Sequence, residues 1–236
     1  MKNLKLGLLA TLALAGTSWG TVINGTSLQT ILDNITNDGS SSVNVNTDQV
    51  DPDKYWQLTA SGTSAATMII EVAGNAASNS FGIYDVADPS KKVTLFSGVA
   101  TDGDQAAVSI KATGAVYVNF ANTGVVFSSS TFGYFLSGPA GTFYSDDALN
   151  PGGADQMVAY QGKGDLVTLP TLNPGTWTPN EYVLAWEDLA NGGDHDFDDM
   201  VVMVESVEPV PEPTTLGLMG LGLLGLGILA HRRKKA

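Results

Sequence analysis

The 236-residue chain contains no cysteine. This excludes disulfides, thiolate metal sites, iron–sulfur clusters and cysteine nucleophiles. Histidine is nearly as scarce. Of the two present, His231 lies in a basic C-terminal cluster, and His195 alone remains in the body of the chain. A histidine-based triad or multi-histidine metal centre has no second histidine to use. Basic residues are also few. Six of the eleven lysines and arginines sit at the two ends (Lys2, Lys5, Arg232, Arg233, Lys234 and Lys235), whereas only Glu212 of the 24 acidic residues does. Residues 21–209 therefore carry five basic and 23 acidic side chains, a formal charge of −18. Phosphate-backbone binding needs clustered lysine and arginine, so no nucleic-acid partner is expected. A surface this acidic is soluble and self-repelling, and it favours cations as ligands.

The ends read as non-globular. Lys2 and Lys5 precede a run from Leu6 to Ala15 that is nearly all apolar. This is the pattern of a cleavable secretory signal peptide, residues 1–20. Ala13-x-Ala15 and Ser18-x-Gly20 both fit the small-x-small cleavage rule, and the second leaves the longer leader. At the other end, Val210-Pro211-Glu212-Pro213 precedes Thr214-Thr215 and an uncharged run from Leu216 to Ala230. Counted from Thr214 the run has 17 residues, the low end of a transmembrane helix. Five glycines between 217 and 227 make it slim and suited to close helix packing. Arg232, Arg233, Lys234 and Lys235 follow at once, a stop-transfer cluster that stays on the cytoplasmic side. With the leader removed, the middle of the chain is then outside.

The order Pro211-Glu212-Pro213, glycine-rich apolar helix, basic terminus resembles the PEP-CTERM sorting signal of Gram-negative bacteria. The resemblance covers about the last 26 residues, 210–236. It implies recognition by an exosortase, a membrane protease expected to cut near the Pro-Glu-Pro. It also implies a transient inner-membrane intermediate, then delivery to the cell envelope, outer surface or extracellular matrix. Such substrates accompany exopolysaccharide and biofilm production.

Between the ends lies enough chain for one well-buried domain, 21–209. Leu28, Ile31, Leu32 and Ile35 recur at i, i+3, i+4, i+7, which predicts a short helix over 27–36 with Ser27 as N-cap. After Gly39 the chain becomes a series of short segments rich in Val, Ile, Thr, Phe and Tyr. The expected strands are 55–59, 66–72, 81–85, 93–96, 106–111, 116–120, 131–136, 157–161, 182–187 and 200–207. Turn signals at Asp88-Pro89-Ser90, Asn122-Thr123-Gly124 and Asn150-Pro151-Gly152 break the runs. Strands without intervening helices predict a mainly β domain, an antiparallel β-sandwich or jelly roll.

One segment carries chemistry. From Glu187 to Asp199, six of 13 residues are acidic: Glu187, Asp188, Asp194, Asp196, Asp198 and Asp199. A strand ends before it and another begins after it, with Gly192-Gly193 between. Carboxylates this dense repel one another, and a hard divalent cation relieves the repulsion. Calcium takes 6–8 oxygen ligands from such loops. All six are candidate Ca2+ ligands, with Glu187, Asp188, Asp196 and Asp199 foremost. The other reading is a solvated acidic hairpin loop. An EF-hand is rejected, although Asp194, Asp196 and Asp198 alternate and Glu205 falls twelfth. The sixth position is Asp199 where glycine is needed, and a β-type run replaces the exit helix. Glu187-Asp188-Leu189 followed by Asp194-His195-Asp196-Phe197-Asp198-Asp199 resembles a bacterial extracellular β-domain family of unknown function that often precedes a PEP-CTERM tail. The resemblance implies a β-sandwich with a cation site and no established activity. Phe197 is expected as a core plug.

These readings point to a non-catalytic, exported, calcium-stabilised sandwich. The alternatives are a carbohydrate-binding module for exopolysaccharide, with Trp56, Trp177, Trp186 and tyrosines as candidate stacking platforms, and a two-carboxylate glycoside hydrolase. No nucleophile elbow, phosphate loop or histidine-based metal motif is present to support an enzyme.

Overall fold

The computed structural model describes residues 20–59, 62–71 and 76–211. The leader, the transmembrane helix expected over 214–230 and the basic cluster lie outside the described residues. So do Glu212 and Pro213 of the sorting motif.

Among the described residues one α-helix, α1 (Ser27–Ile35), opens the domain. Fifteen strands follow: β1 (Trp56–Leu58), β2 (Thr63–Glu71), β3 (Ser80–Asp85), β4 (Asp88–Ser97), β5 (Gln105–Ile110), β6 (Ala115–Val118), β7 (Ala121–Val126), β8 (Thr131–Gly138), β9 (Gly141–Tyr144), β10 (Met157–Gln161), β11 (Leu166–Val167), β12 (Gly175–Thr176), β13 (Glu181–Trp186), β14 (Met200–Glu205) and β15 (Val207–Pro209). They form a six-stranded antiparallel sheet ordered β15-β1-β8-β3-β4, with β9 also on β8. A seven-stranded antiparallel sheet is ordered β10-β13-β14-β2-β5-β6-β7, and β11 and β12 pair by themselves.

The two sheets enclose one core. Trp56, Phe81, Ile83, Phe132, Tyr134 and Leu136 of the smaller sheet meet Val108, Tyr182, Leu184, Trp186, Val202 and Val204 of the larger. The fold is therefore the expected mainly β sandwich. It also has a third layer. The far face of the larger sheet, with Val158, Tyr160, Val183, Ala185, Val201 and Met203, is covered by Leu28, Leu32 and Ile35 of α1 together with Val43, Val45, Val167 and Trp177. This explains why β10, β13 and β14 read as unbroken apolar runs rather than alternations: both their faces are buried.

Some boundaries differ from the sequence expectation. The residue before the helix is Thr26, which makes no side-chain cap, and Ser27 is already helical. The run expected as one strand over 200–207 is two. Ser206 takes a left-handed conformation, φ +59°, and there the chain leaves the larger sheet at β14 and enters the smaller one as β15. Asp88-Pro89-Ser90 is not a turn but the start of β4, an edge strand, where proline's missing N–H costs no ladder bond.

Candidate metal centre

Trp186 and Met200 lie directly opposite each other in the β13–β14 ladder, so residues 187–199 are the connection between two adjacent strands. Tyr182, Leu184 and Trp186 point into the inter-sheet core, and Val183 and Ala185 into the helix-side core. Continuing the alternation carries Glu187 toward the helix side, where it is wholly enclosed at 0% exposure.

Within the loop, Glu187 Oε1 accepts a hydrogen bond from the Phe197 amide at 2.9 Å. Its other oxygen, Oε2, is buried and has no hydrogen-bond partner. The backbone of Gly193 lies against that oxygen so closely that a Cβ there would sit 1.9 Å from it. A side chain at 193 would displace that carboxylate oxygen, and φ +51° there is a conformation that favours glycine. One carboxylate oxygen from each of Glu187, Asp194 and Asp196 lies within 4.8 Å of the others. Asp194 is exposed and Asp196 half-buried, so the cluster runs from the interior out to solvent.

The other three candidates are placed differently. Asp188, 4% exposed, accepts from the Asn79 side-chain amide at 3.1 Å. Asp199 Oδ2 accepts from the Asp188 amide at 2.8 Å, tying the two ends of the loop together. The Asp198 amide donates to Asp196 Oδ1 at 3.4 Å. Phe197 is the expected plug: its ring is fully buried in the helix-side core. That burial holds its backbone left-handed, φ +53°, a conformation costing an L-residue about 1–2 kcal/mol.

Two organising residues have no sequence signal. Gln156, fully buried beside β10, donates to the carbonyls of Glu187 (3.3 Å) and Leu189 (2.7 Å) and accepts from the Gly192 amide. Asn24 donates from its side chain to the Asp194 carbonyl (2.6 Å) and from its backbone to the His195 carbonyl (2.7 Å). Both act across long sequence separations, where local pattern carries no information.

Burial pushes the Glu187 carboxyl up to about 7. The Phe197 amide pulls it down, and the charges of Asp199, Asp194 and Asp196 push it further up. Asp196 rises to about 6, first through burial, then through Asp198 and Asp194. Asp199 rises to about 6, again chiefly through burial, opposed by the hydrogen bond from Asp188. All three carboxyls are thus raised toward neutrality, chiefly by burial and then by the charge of neighbouring carboxylates.

The tryptophans considered as stacking platforms are interior residues. Trp56, Trp177 and Trp186 are all 0% exposed. The Trp56 indole N–H donates to the Asp53 carbonyl at 2.6 Å, and that of Trp177 to the Glu181 carbonyl at 3.1 Å.

Two family models match the chain. Residues 209–234 match the PEP-CTERM protein-sorting motif. The chain carries a PEP-CTERM sorting signal. Residues 99–207 match a domain of unknown function, DUF4114. This span takes in the whole candidate centre and strands β5 to β14, whereas α1 and β1 to β4 of the same sandwich precede it. A comparison with curated proteins found no match. The PEP-CTERM motif implies recognition by an exosortase, and export with membrane-associated processing toward the cell envelope. It begins at Pro209, the last residue of β15, and the Val210 amide still donates to the Tyr55 carbonyl at 2.8 Å. The PEP-CTERM segment thus follows the folded sheet without an intervening linker.

Proposed function

We propose that this PEP-CTERM protein is a non-catalytic, calcium-stabilised β-sandwich released by an exosortase into the envelope or extracellular matrix, where exopolysaccharide is the expected surrounding. One observation carries the calcium reading: Glu187, fully buried, presents an unpartnered Oε2 to a cluster completed by Asp194 and Asp196. A buried acceptor left unpaired is costly, and a hard cation satisfies it while neutralising its neighbours. Asp199 and Asp198 stand close enough to add charge, and the cation itself would order the loop.

Calorimetric titration of residues 21–209 should give one calcium per chain, with magnesium ineffective. Asp196→Asn should weaken that binding, and unchanged affinity would move the site elsewhere. The sorting half is tested separately. In a host lacking the exosortase, the chain should stay membrane-bound with its tail intact. Equal removal of the tail in that host would contradict exosortase processing.

A further inference from the structure

A second group of acidic residues, none of them from the 187–199 loop, lines a cavity beside residues 20 and 21. A polar cavity of about 260 Å3 is lined by Asp51, Asp53, Asp147 and Asp155, with Lys54 and Thr21 in the same wall. Four carboxylates face one lysine. Burial raises Asp53 well above the carboxylate range, and the charges of Asp155, Asp147 and Asp51 add to it. Asp147 is raised to about 6, mainly by burial and by Asp155, against the pull of Lys54. The cavity is short of positive charge.

The chain itself supplies one. The Thr21 hydroxyl donates to Asp155 Oδ2, and the Thr21 carbonyl accepts from the Gln49 side chain at 2.7 Å. The hold continues past it: Ile23 is buried in the helix-side core, and Asn24 is bonded to the carbonyls of Asp194 and His195. Thr21, Ile23 and Asn24 are thus each held, while Val22 between them is exposed, and the first of these is the residue that follows Ser18-x-Gly20. Cleavage after Gly20 turns the Thr21 peptide nitrogen into an α-ammonium group. That nitrogen is bonded to the same Cα as the side chain already touching Asp155.

We propose that this cavity is the seat of the mature amino terminus: the α-ammonium group of Thr21, created by leader removal, binds among Asp155, Asp53 and Asp147. The inference rests on the reading of residues 1–20 as a leader cut after Gly20. It gives processing a structural consequence. Before cleavage the nitrogen is an uncharged amide; after cleavage it is a cation held by carboxylates, so leader removal adds a charged contact to a segment that already rests on the sandwich.

The test compares the exported, processed chain with one carrying Gly-Ser inserted between Gly20 and Thr21, which moves the ammonium two residues away. Asp155→Asn is made in both backgrounds, and intact mass fixes each mature terminus. The insertion should lower the thermal midpoint by about 3–6 °C. In the Asp155→Asn background the same insertion should have little further effect. A midpoint unmoved by the insertion, with the terminus confirmed at Thr21, overturns the proposal. So does a divalent cation that stabilises both chains equally through Asp155, because the cavity would then be a metal site. A mature terminus at another residue also overturns it, and the mass shows that the leader reading was the premise that failed.

Discussion

With calcium chelated, the domain should lose stability as the pH rises from about 4 through about 7, and with calcium present this loss should reverse. Glu187 is raised from 4.5 to about 7, and Asp196 and Asp199 from 3.8 to about 6. All three hold their protons more tightly folded than unfolded. The folded state therefore binds more protons across this window, and stability is complete below the unfolded values and lost as the pH passes the folded ones. Each tenfold change in proton affinity is worth about 1.4 kcal/mol, so Glu187 alone contributes on the order of 3 kcal/mol to the decline. Asp147, raised to about 6 outside the loop, adds in the same direction. Calcium needs the ionised carboxylates, so its stabilisation grows over the same range. Urea unfolding at several pH values, with calcium or with chelator, checks this. Parallel curves would show that no cation couples to these groups.

Glu187→Gln should separate the two states of the loop in opposite directions. The amide keeps the shape, and its oxygen can still accept from the Phe197 amide. Its new N–H donors face the carboxylates of Asp194 and Asp196, where Oε2 had no partner. At pH 8 with chelator, the variant should therefore be more stable than the parent, by about 1–3 kcal/mol. Calcium binding should nearly vanish. Changes behind the ligands alone cost 10–100-fold in metal affinity, so removing a ligand's charge costs on the order of 100-fold or more. The pH slope under chelator should flatten too, leaving the parts due to Asp196, Asp199 and Asp147. A variant less stable in both conditions would mean that Glu187 serves packing only.

What the sequence revealed follows physical range. The helix, the β class and the acidic connection were legible because each is written in neighbouring residues: a 3.6 spacing, apolar runs, a dense carboxylate tract. The third layer was not, because the double burial of β13 and β14 depends on where α1 docks. The edge strand β7 was missed for a related reason. It pairs on one side and is mostly exposed, so its Asn122-Thr123-Gly124 composition looked like a turn. The real reversal is Asn119-Phe120, both left-handed, φ +48° and +66°. The tryptophans illustrate a different limit, since core and surface aromatics look alike in a sequence. Within the centre, residue type was readable but grouping was not. Asp194 joins Glu187 and Asp196, whereas Asp188 turns to Asn79, a contact across 109 positions.

Thermal unfolding of residues 21–209 with calcium and with chelator tests the calcium reading most directly. At about 100 times its dissociation constant a ligand adds roughly 2.7 kcal/mol. For a domain of this size that raises the midpoint by about 5–11 °C. The account predicts such a rise with calcium, its absence with magnesium, and its loss in Glu187→Gln. An unchanged midpoint would contradict it, and the 187–199 loop would then be a solvated acidic connection on a sorted sandwich.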